Sequence, residues 1–265
     1  MTENNQPGAL VERVGNVMVI TINRPDARNA VNSEVSAAVG SALEEASADP
    51  EVRAIVITGA GDKSFCAGAD LKAIGRGEST YAPGHHEWGF AGFVKHYTDK
   101  PTIAAVNGAA LGGGTELVLA ADLIVAAENA TFGLPEVKRG LLAGAGGVFR
   151  LTAQISQRLA MEMIFTGEPI SAARALEVGL VNQVVPEGKS VKAAIDLAQR
   201  IAVNAPLSVQ ASKRIAYGIE GGLRAGEAGK WAQTAAEWDG LMHTEDAKEG
   251  PRAFAEKREA VWQAR

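Results

Sequence analysis

The sequence has almost no cysteine. Cys66 is the single cysteine among its 265 residues. One thiol can form neither an intramolecular disulfide nor a cysteine-based zinc cage. A reducing compartment suits such a chain, so we expect a cytoplasmic protein.

The sequence also lacks an excess of positive charge and any long apolar run. It carries 26 Lys and Arg against 31 Asp and Glu, a net charge of −5, and so has no general attraction for phosphate polymers or anionic membranes. No stretch reaches about 18 uncharged apolar residues, and residues 1–15 do not form a secretion signal. We therefore expect no nucleic-acid or membrane partner.

Aromatic residues are scarce at 5%, but hydrophobic residues make up 46% and charged residues 22%. This composition is typical of a globular protein rather than a disordered chain or a fibre. Short apolar strands are predicted at residues 17–22, 54–58, 102–106 and 123–127. They alternate with helical patterns, the first at residues 32–48 with Ser33 as a possible N-cap. The spacing predicts an α/β fold of stacked strand-helix turns. A doubly wound sheet would give a similar alternation of strands and helices, so spacing alone does not separate the two folds.

Helical patterns dominate beyond about residue 150. They are predicted at residues 153–165, 171–178, 190–203, 207–218, 224–242 and 246–262, with one strand at 181–185. We therefore divide the chain into an α/β core, residues 1–198, and a C-terminal helical region, residues 199–265.

Three familiar ligand motifs are incomplete. Residues 59–64 resemble a phosphate-binding loop, but Asp62 stands where that loop requires glycine. Residues 144–149 begin like a dinucleotide fingerprint, but Phe149 replaces the third glycine, which favours a tight turn before a helix. The histidines at 85–96 lack metal-ligand spacing, and no Gly-x-Ser-x-Gly elbow occurs. The sequence therefore disfavours nucleotide, metal and serine-hydrolase sites.

Two clusters of small residues, at 67–69 and 112–114, would let a ligand approach the backbone closely. The second cluster opens a predicted helix, whose first N–H groups have no partner within the helix. Two such N–H groups can form an oxyanion hole. Glu116 and Glu136 follow, and carboxylates beside a glycine-lined cleft can move protons. Either glutamate alone would also fit dipole compensation or a solvated loop.

Several blocks of the sequence resemble the crotonase, or enoyl-CoA hydratase/isomerase, superfamily, and together they span almost the whole chain in order. The blocks are residues 65–72, 105–108, 111–116, 121–122, 132–136, 144–147, 159–160, 166–167, 172–181, 249–250 and 254–258.

The resemblance implies a crotonase-type spiral of repeated ββα turns with C-terminal helices that build a trimer, commonly paired into a hexamer. It implies no metal or redox cofactor, because coenzyme A arrives as part of an acyl-CoA thioester substrate. In this family the thioester carbonyl lies on two backbone N–H groups, which match Ala69 and Gly113.

The resemblance also assigns the two glutamates. Many isomerase and other branches replace one of them, whereas this chain has both, which favours water chemistry. Glu116 is expected to deprotonate the water that attacks Cβ, and Glu136 to deliver a proton to Cα; the two roles could be exchanged. The expected activity is hydration of a trans-2-enoyl-CoA.

Further residues are expected at the substrate by the same resemblance. Arg28 fits a phosphate contact or a surface role equally well, Lys72 fits the nucleotide end, and Phe254 with Lys257 fits a contact to a neighbouring subunit's nucleotide. The full expected set for substrate and CoA is Arg28, Ala67, Asp70, Leu71, Lys72, Phe254 and Lys257.

Other functions stay open. The string at residues 243–258 is similar to the carnitinyl-CoA dehydratase branch, whose acyl group carries a quaternary ammonium. A cation-π site for it could be built from aromatic residues in or near the irregular segment 75–92, namely Tyr81, Trp88, Phe90 and Phe93, but these could equally pack on an alkyl chain. A Δ3-Δ2 enoyl-CoA isomerase and a catalytically idle CoA-binding scaffold are further alternatives. Both glutamates favour ordinary enoyl-CoA hydration.

Overall fold

The computed structural model describes residues 7–219, 222 and 224–265. Within those residues, no helix is both long and apolar enough to cross a membrane.

Short strands make up two sheets. In chain order the strands are β1 (Ala9–Val14), β2 (Val17–Ile22), β3 (Ala54–Gly59), β4 (Ser64–Cys66), β5 (Thr102–Val106), β6 (Ala109–Leu111), β7 (Leu123–Ala127), β8 (Thr131–Gly133), β9 (Ile170–Ser171) and β10 (Gln183–Val185). The larger sheet has the order β1-β2-β3-β5-β7-β10, and the smaller one β4-β6-β8-β9. Only the β1–β2 and β8–β9 pairs among these strands are antiparallel.

Helices separate and cover the strands. They are α1 (Ser33–Ala48), α2 (Leu71–Gly75), α3 (Gly113–Ala120), α4 (Gly147–Gln154), α5 (Gln157–Thr166), α6 (Ala172–Glu177), α7 (Ser190–Ala202), α8 (Pro206–Tyr217), α9 (Glu227–Met242) and α10 (Glu245–Glu256). Single 3-10 turns lie at Pro25–Ala27, His86–Trp88, Phe90–Gly92 and Pro135–Arg139.

Successive turns of the chain place one strand in each sheet. β3, β5 and β7 pair in parallel in the larger sheet, while β4, β6 and β8, which follow them, pair in parallel in the smaller one. Helices and the smaller sheet together cover the two faces of β3 and β5, so these strands consist of buried residues throughout. The predicted α/β spiral of ββα turns is confirmed.

The core lies on both sides of the larger sheet. One face packs against α1, α3 and the smaller sheet, and the other face packs against α7. Ala194 and Ala198 of α7 are fully buried on β3 and β5. The predicted boundary between residues 198 and 199 therefore falls inside α7, which continues to Ala202.

Helix ends differ in places from the sequence prediction. Asn32, rather than Ser33, caps α1, because its side chain accepts a hydrogen bond from the Val35 N–H at 3.1 Å. The helix predicted at residues 246–262 ends at Glu256. It ends there because Lys257 adopts a left-handed conformation with φ +54°, and residues 258–265 form no helix.

Candidate active site

Two glycines bring the small-residue clusters into direct contact. A Cβ on Gly68 would lie 3.2 Å from the Gly113 nitrogen, and a Cβ on Gly113 would lie 3.2 Å from the Gly68 Cα. Glycine is required at Gly68 for a second reason, its φ of +91°. The backbone at Ala69 and the first turn of α3 are therefore neighbours.

The N–H of Ala69 points away from the adjoining chain segment. Val31 pairs with Ala69 in a parallel bridge in which the Val31 N–H donates to the Gly68 carbonyl and the Asp70 N–H donates to the Val31 carbonyl. In such a bridge the central residue directs its own N–H to the opposite side. Among the described residues, the Ala69 N–H has no acceptor.

The N–H of Gly113 is free because it begins a helix. Gly112, with φ +57°, precedes α3 and donates its N–H to the Gly133 carbonyl, whereas no described residue accepts from the Gly113 N–H. The first N–H groups of a helix have no partner within it. Ala69 and Gly113 thus supply two free donors on adjacent segments, as an oxyanion hole requires.

Glu116 lies in the first turn of α3 and is 4% exposed. Its Oε1 accepts a hydrogen bond from the Gly147 N–H at 2.8 Å. Burial, followed by the charge of Glu136, raises the pKa of Glu116 to about 8, while the Gly147 and Ala145 N–H groups act in the opposite direction.

Glu136 lies in the 3-10 turn Pro135–Arg139, here named the Glu136 turn, which follows β8. Its carboxylate extends toward Gly112, where an added Cβ would be 3.0 Å from Oε1. Its Oε2 is buried and has no hydrogen-bond partner among the described residues. Burial raises the pKa of Glu136 to about 7.

The charge of Glu136 raises the pKa of Glu116, so the protonation of the two carboxyl groups is linked in a largely buried site. Two like charges in such a site cannot both ionise easily, so the pair holds one proton over a range of pH. A pair with one proton can accept a proton at one carboxyl and donate one at the other.

Phe90 and Tyr81 lie near this cleft. A Cβ on Gly113 would come within 2.5 Å of the Phe90 ring. Tyr81 stacks on His86 at 5.1 Å, and burial, together with the nearby Glu116 charge, raises the pKa of its phenol. These rings confirm that the irregular segment reaches the site.

Trp88, proposed from the sequence as part of an acyl-binding wall, has other neighbours. Its ring lies between those of His85 at 3.8 Å and His96 at 4.7 Å, and it covers Gly40 of α1 so closely that no Cβ fits there. This stack attaches the segment to α1 and occupies both faces of the Trp88 ring, which disfavours Trp88 as a cation-π wall; a contact of Trp88 with the acyl group stays a prediction.

Of the residues expected around the oxyanion donor, Asp70 has its side chain fully engaged. It caps α2 by accepting from the N–H groups of Lys72 at 3.0 Å and Ala73 at 3.1 Å, and it pairs with Arg24 at 2.8 Å. Burial acts to raise the pKa of Asp70, but these N–H groups and the guanidinium lower it below its usual value. The side chain therefore supports the loop and does not offer a free ligand group, and a contact of the Asp70 backbone with the substrate stays a prediction.

The remaining expected residues lie at the surface. Ala67, Leu71, Lys72 and Arg28 are exposed on adjoining segments, and the Ala67 N–H donates to the Arg28 carbonyl. The structure thus places them at the rim of the cleft, and their contact with CoA stays a prediction.

Phe254 and Lys257 lie at the end of α10. The Arg139 guanidinium of the same chain covers the Phe254 ring at 4.1 Å, and Lys257 is exposed at the left-handed turn that ends the helix. One face of Phe254 is thus already occupied within the chain. A contact from these residues to a neighbouring subunit stays a prediction.

Sequence reasoning missed the contribution of residues 144–147 to the glutamates. Gly146, at φ +99°, begins α4, which confirms the expected turn before a helix, and the next N–H binds Glu116. The signal was the run of glycines, because a Cβ on Gly147 would lie 2.9 Å from the Glu116 Oε1. The described residues contain no group of three potential metal-ligating side chains.

The sequence profile of the enoyl-CoA hydratase/isomerase family matches residues 12–265. The chain belongs to this family. The family resemblance inferred from the motifs is confirmed, as is the hydratase class to which it pointed.

Relatives within the enoyl-CoA hydratase/isomerase family carry different substrate names. A carnitinyl-CoA dehydratase of Salmonella heidelberg (strain SL476) is 44% identical over 96% of this chain and 97% of its own. The crystal structure of a carnitinyl-CoA hydratase from Mycobacterium avium has a TM-score of 0.97 and 65% identity over 98% of this chain and all of its own. An enoyl-CoA hydratase from Mycobacterium tuberculosis H37Rv has a TM-score of 0.76 and 44% identity over 98% of this chain and all of its own.

Proposed function

We propose that the protein adds water across the double bond of a 2-enoyl-CoA thioester and catalyses the reverse dehydration of a 3-hydroxyacyl-CoA. The observation that carries this proposal is the pair of buried, interacting carboxyl groups, Glu116 and Glu136, beside two adjacent segments with free N–H groups. Family membership supports it, and an idle scaffold would gain nothing from burying two carboxyl groups at a cost in stability.

The thioester carbonyl would accept hydrogen bonds from the Ala69 and Gly113 N–H groups. These donors stabilise the enolate oxygen that forms when the nucleophile adds to Cβ, and one such donor is worth about 3 kcal/mol. They are fixed by backbone contacts and need no reorganisation during the reaction.

Hydrogen bonding distinguishes the two carboxyl groups. N–H donors from residues 145 and 147 favour the charged form of Glu116, whereas the Glu136 Oε2 has no described partner. Burial acts in the opposite sense, because it raises the pKa of Glu116 above that of Glu136. We assign to Glu116 the proton taken from water as the water oxygen bonds to Cβ, and to Glu136 the proton given to Cα; the two roles are exchanged if the proton of the pair rests on Glu116. Dehydration runs through the same steps in reverse.

The experiment is a panel of CoA thioesters assayed by the ultraviolet absorbance of the conjugated thioester, which hydration removes and isomerisation of a 3-enoyl-CoA creates. It includes crotonyl-CoA, longer trans-2-enoyl-CoAs, a 3-enoyl-CoA and crotonobetainyl-CoA. Hydration that is absent in Glu116→Gln and Glu136→Gln supports the proposal. If the wild-type protein only converts 3-enoyl-CoA to 2-enoyl-CoA, it is an isomerase.

A second candidate is the dehydration of carnitinyl-CoA, which the names of the Salmonella and Mycobacterium avium relatives favour. Its quaternary ammonium would need an uncovered aromatic face or an acidic group. Trp231 is already covered by Lys95 at 4.2 Å, whereas Trp238, which would lie 3.0 Å from a Cβ on Gly144, has no protein cation on its ring among the described residues. A rate with crotonobetainyl-CoA far above that with crotonyl-CoA, lost in Trp238→Leu, would establish this candidate.

We further propose that the chain assembles as a trimer, or a pair of trimers, in the cytoplasm, with no cofactor besides the CoA of the substrate. Exposed apolar side chains after the spiral support the assembly: Val203 is 81% exposed, Leu207 76% and Ile215 82%. Several highly exposed large apolar side chains in one region of the chain are typical of an interface.

A further inference from the structure

The Glu136 turn lies between the catalytic cleft and α10. On one side its glutamate reaches Gly112. On the other side a Cβ on Gly250 would overlap the Arg139 carbonyl group, and a Cβ on Gly140 would overlap the Asp246 carbonyl group. The helix backbone thus packs directly on the backbone of the Glu136 turn, and any movement of α10 reaches the turn.

Glu249 precedes Gly250 in α10 and is 5% exposed. Several hydrogen-bond donors surround its carboxylate. Its carboxylate accepts from Arg252 one turn later, from Arg258 Nη1 and Nη2, and from the Val261 N–H at 3.0 Å. These donors hold the pKa of Glu249 well below its usual range. Arg258 and Val261 lie beyond the end of α10, so the chain must turn back to reach Glu249.

The rest of the C-terminal segment follows α10 back toward its beginning. Asp246 accepts from the N–H groups of Gln263 at 2.6 Å and Ala264 at 3.0 Å. The Trp262 ring would lie 3.2 Å from a Cβ on Gly140, the residue that ends the Glu136 turn. Residues 257–265 therefore pin α10 against the turn from outside.

We propose that this clamp, formed by Glu249, Arg258 and residues 259–265, is a positioning device for Glu136. It holds the Glu136 turn in place and keeps water from the carboxyl group. The proposal rests on the proposed function, in which Glu136 carries the proton for Cα. Glu249 acts through the turn and does not touch substrate.

The physical reason is the weak anchoring of the Glu136 carboxyl group itself. Its Oε2 has no described hydrogen-bond partner, so the position of the group depends on the turn that carries it. Its high proton affinity depends on burial. A loosened clamp would misplace the carboxyl group and expose it to water. Exposure would lower the pKa of Glu136 toward the usual value of a glutamate.

The test is Glu249→Gln, which keeps the shape of the side chain and removes its charge. We expect kcat to fall about 10-fold or more, since small misplacements of a catalytic group have effects of that size, with KM within about two-fold. We also expect the alkaline limb of the kcat–pH profile, where Glu136 loses the proton for Cα, to move to lower pH. Glu245→Gln is the matched control, because that side chain lies on the same helix and, among the described residues, hydrogen-bonds only to exposed Lys248.

The proposal is overturned if Glu249→Gln keeps the wild-type kcat and pH profile. It is also overturned if activity falls only in proportion to the folded fraction while the profile stays unchanged, since that is a purely structural role. If Glu249→Gln does not fold, Arg258→Gln, which removes two hydrogen bonds to the same carboxylate, must give the same shift.

Hydrogen exchange separates this proposal from the proposed function. The N–H groups of Gly140 and Leu141 donate to carbonyls of the Glu136 turn, and we expect them to exchange faster in Glu249→Gln than in Glu245→Gln. Equal exchange in both variants overturns the clamp. A wild-type protein that hydrates no enoyl-CoA overturns the proposed function instead, whatever the exchange shows.

Discussion

Glu116 and Glu136 each lie where burial disfavours the charged carboxylate. Burial therefore raises the pKa of both groups, so that they can exchange protons near neutral pH. Replacing either with glutamine preserves size and hydrogen-bonding reach but removes the transferable proton. We expect kcat for hydration to fall at least about 100-fold, the scale usual for general acid–base groups, with the fold intact. Steady-state kinetics alongside circular dichroism checks this, and near-normal turnover in either variant would contradict it.

The pH dependence of kcat reports the proton shared by the pair. At low pH both carboxyl groups are protonated and no base remains, and at high pH the last proton is lost and no acid remains. We expect a bell-shaped profile whose limbs lie above the usual pKa range of a carboxyl group, because burial raises the pKa of both glutamates. A profile that stays flat from about pH 5 to about pH 9 would mean that the pair does not handle protons.

The same residues should lower the stability of the fold at high pH. A carboxyl group whose pKa is raised in the folded state binds more protons there than in the unfolded chain, so stability falls as pH rises from the ordinary pKa of 4.5 to about 8. Glu116→Gln should therefore be more stable than wild type above about pH 8, with the difference shrinking toward about pH 4. Urea unfolding at both ends of this range measures it; a difference that is independent of pH would count against the raised pKa.

At the scale of single elements, the irregular segment between α2 and β5 is fastened through Trp88. Trp88→Ala should remove the stack with His85 and His96 and lower Tm by a few degrees, because a half-buried aromatic contact is lost. The ratio of rates with crotonobetainyl-CoA and crotonyl-CoA should stay unchanged. A changed ratio in Trp88→Ala, with none in Trp238→Leu, would place the acyl-recognition wall at Trp88 after all.

The sequence predicted the positions of elements that have a clear hydrophobic pattern. It did not predict elements whose ends depend on contacts with residues far away in sequence. The predicted strands at residues 54–58 and 102–106 match β3 and β5 within one residue. The short strands of the smaller sheet were missed, since three residues carry no periodic signal. The end of α10 was missed as well, because Glu249 draws the following residues back along the helix.

At the scale of the whole molecule, the exposed apolar side chains of α8 predict that the chain forms an oligomer. Light scattering of the full chain should give a mass that is a multiple of three subunits. Ile215→Asp should reduce that mass, since a charge at an 82% exposed position harms an interface but not an isolated chain. Ile215→Val should assemble normally. A monomer at every concentration, with full activity, would refute the assembly.

The sequence by itself determined the two glutamates and the two glycine-rich segments, because each depends on residue types at short spacing. Its resemblance to the crotonase superfamily determined the family and the spiral. Only the tertiary structure decided which groups meet. Residues 69, 113, 116, 136 and 147 come from separate turns of the chain, and they converge because the strands before them stack in parallel and the glycines allow contact between backbones. The tasks of Trp88, Asp70 and Glu249 likewise depend on neighbours far away in sequence, which no local pattern encodes.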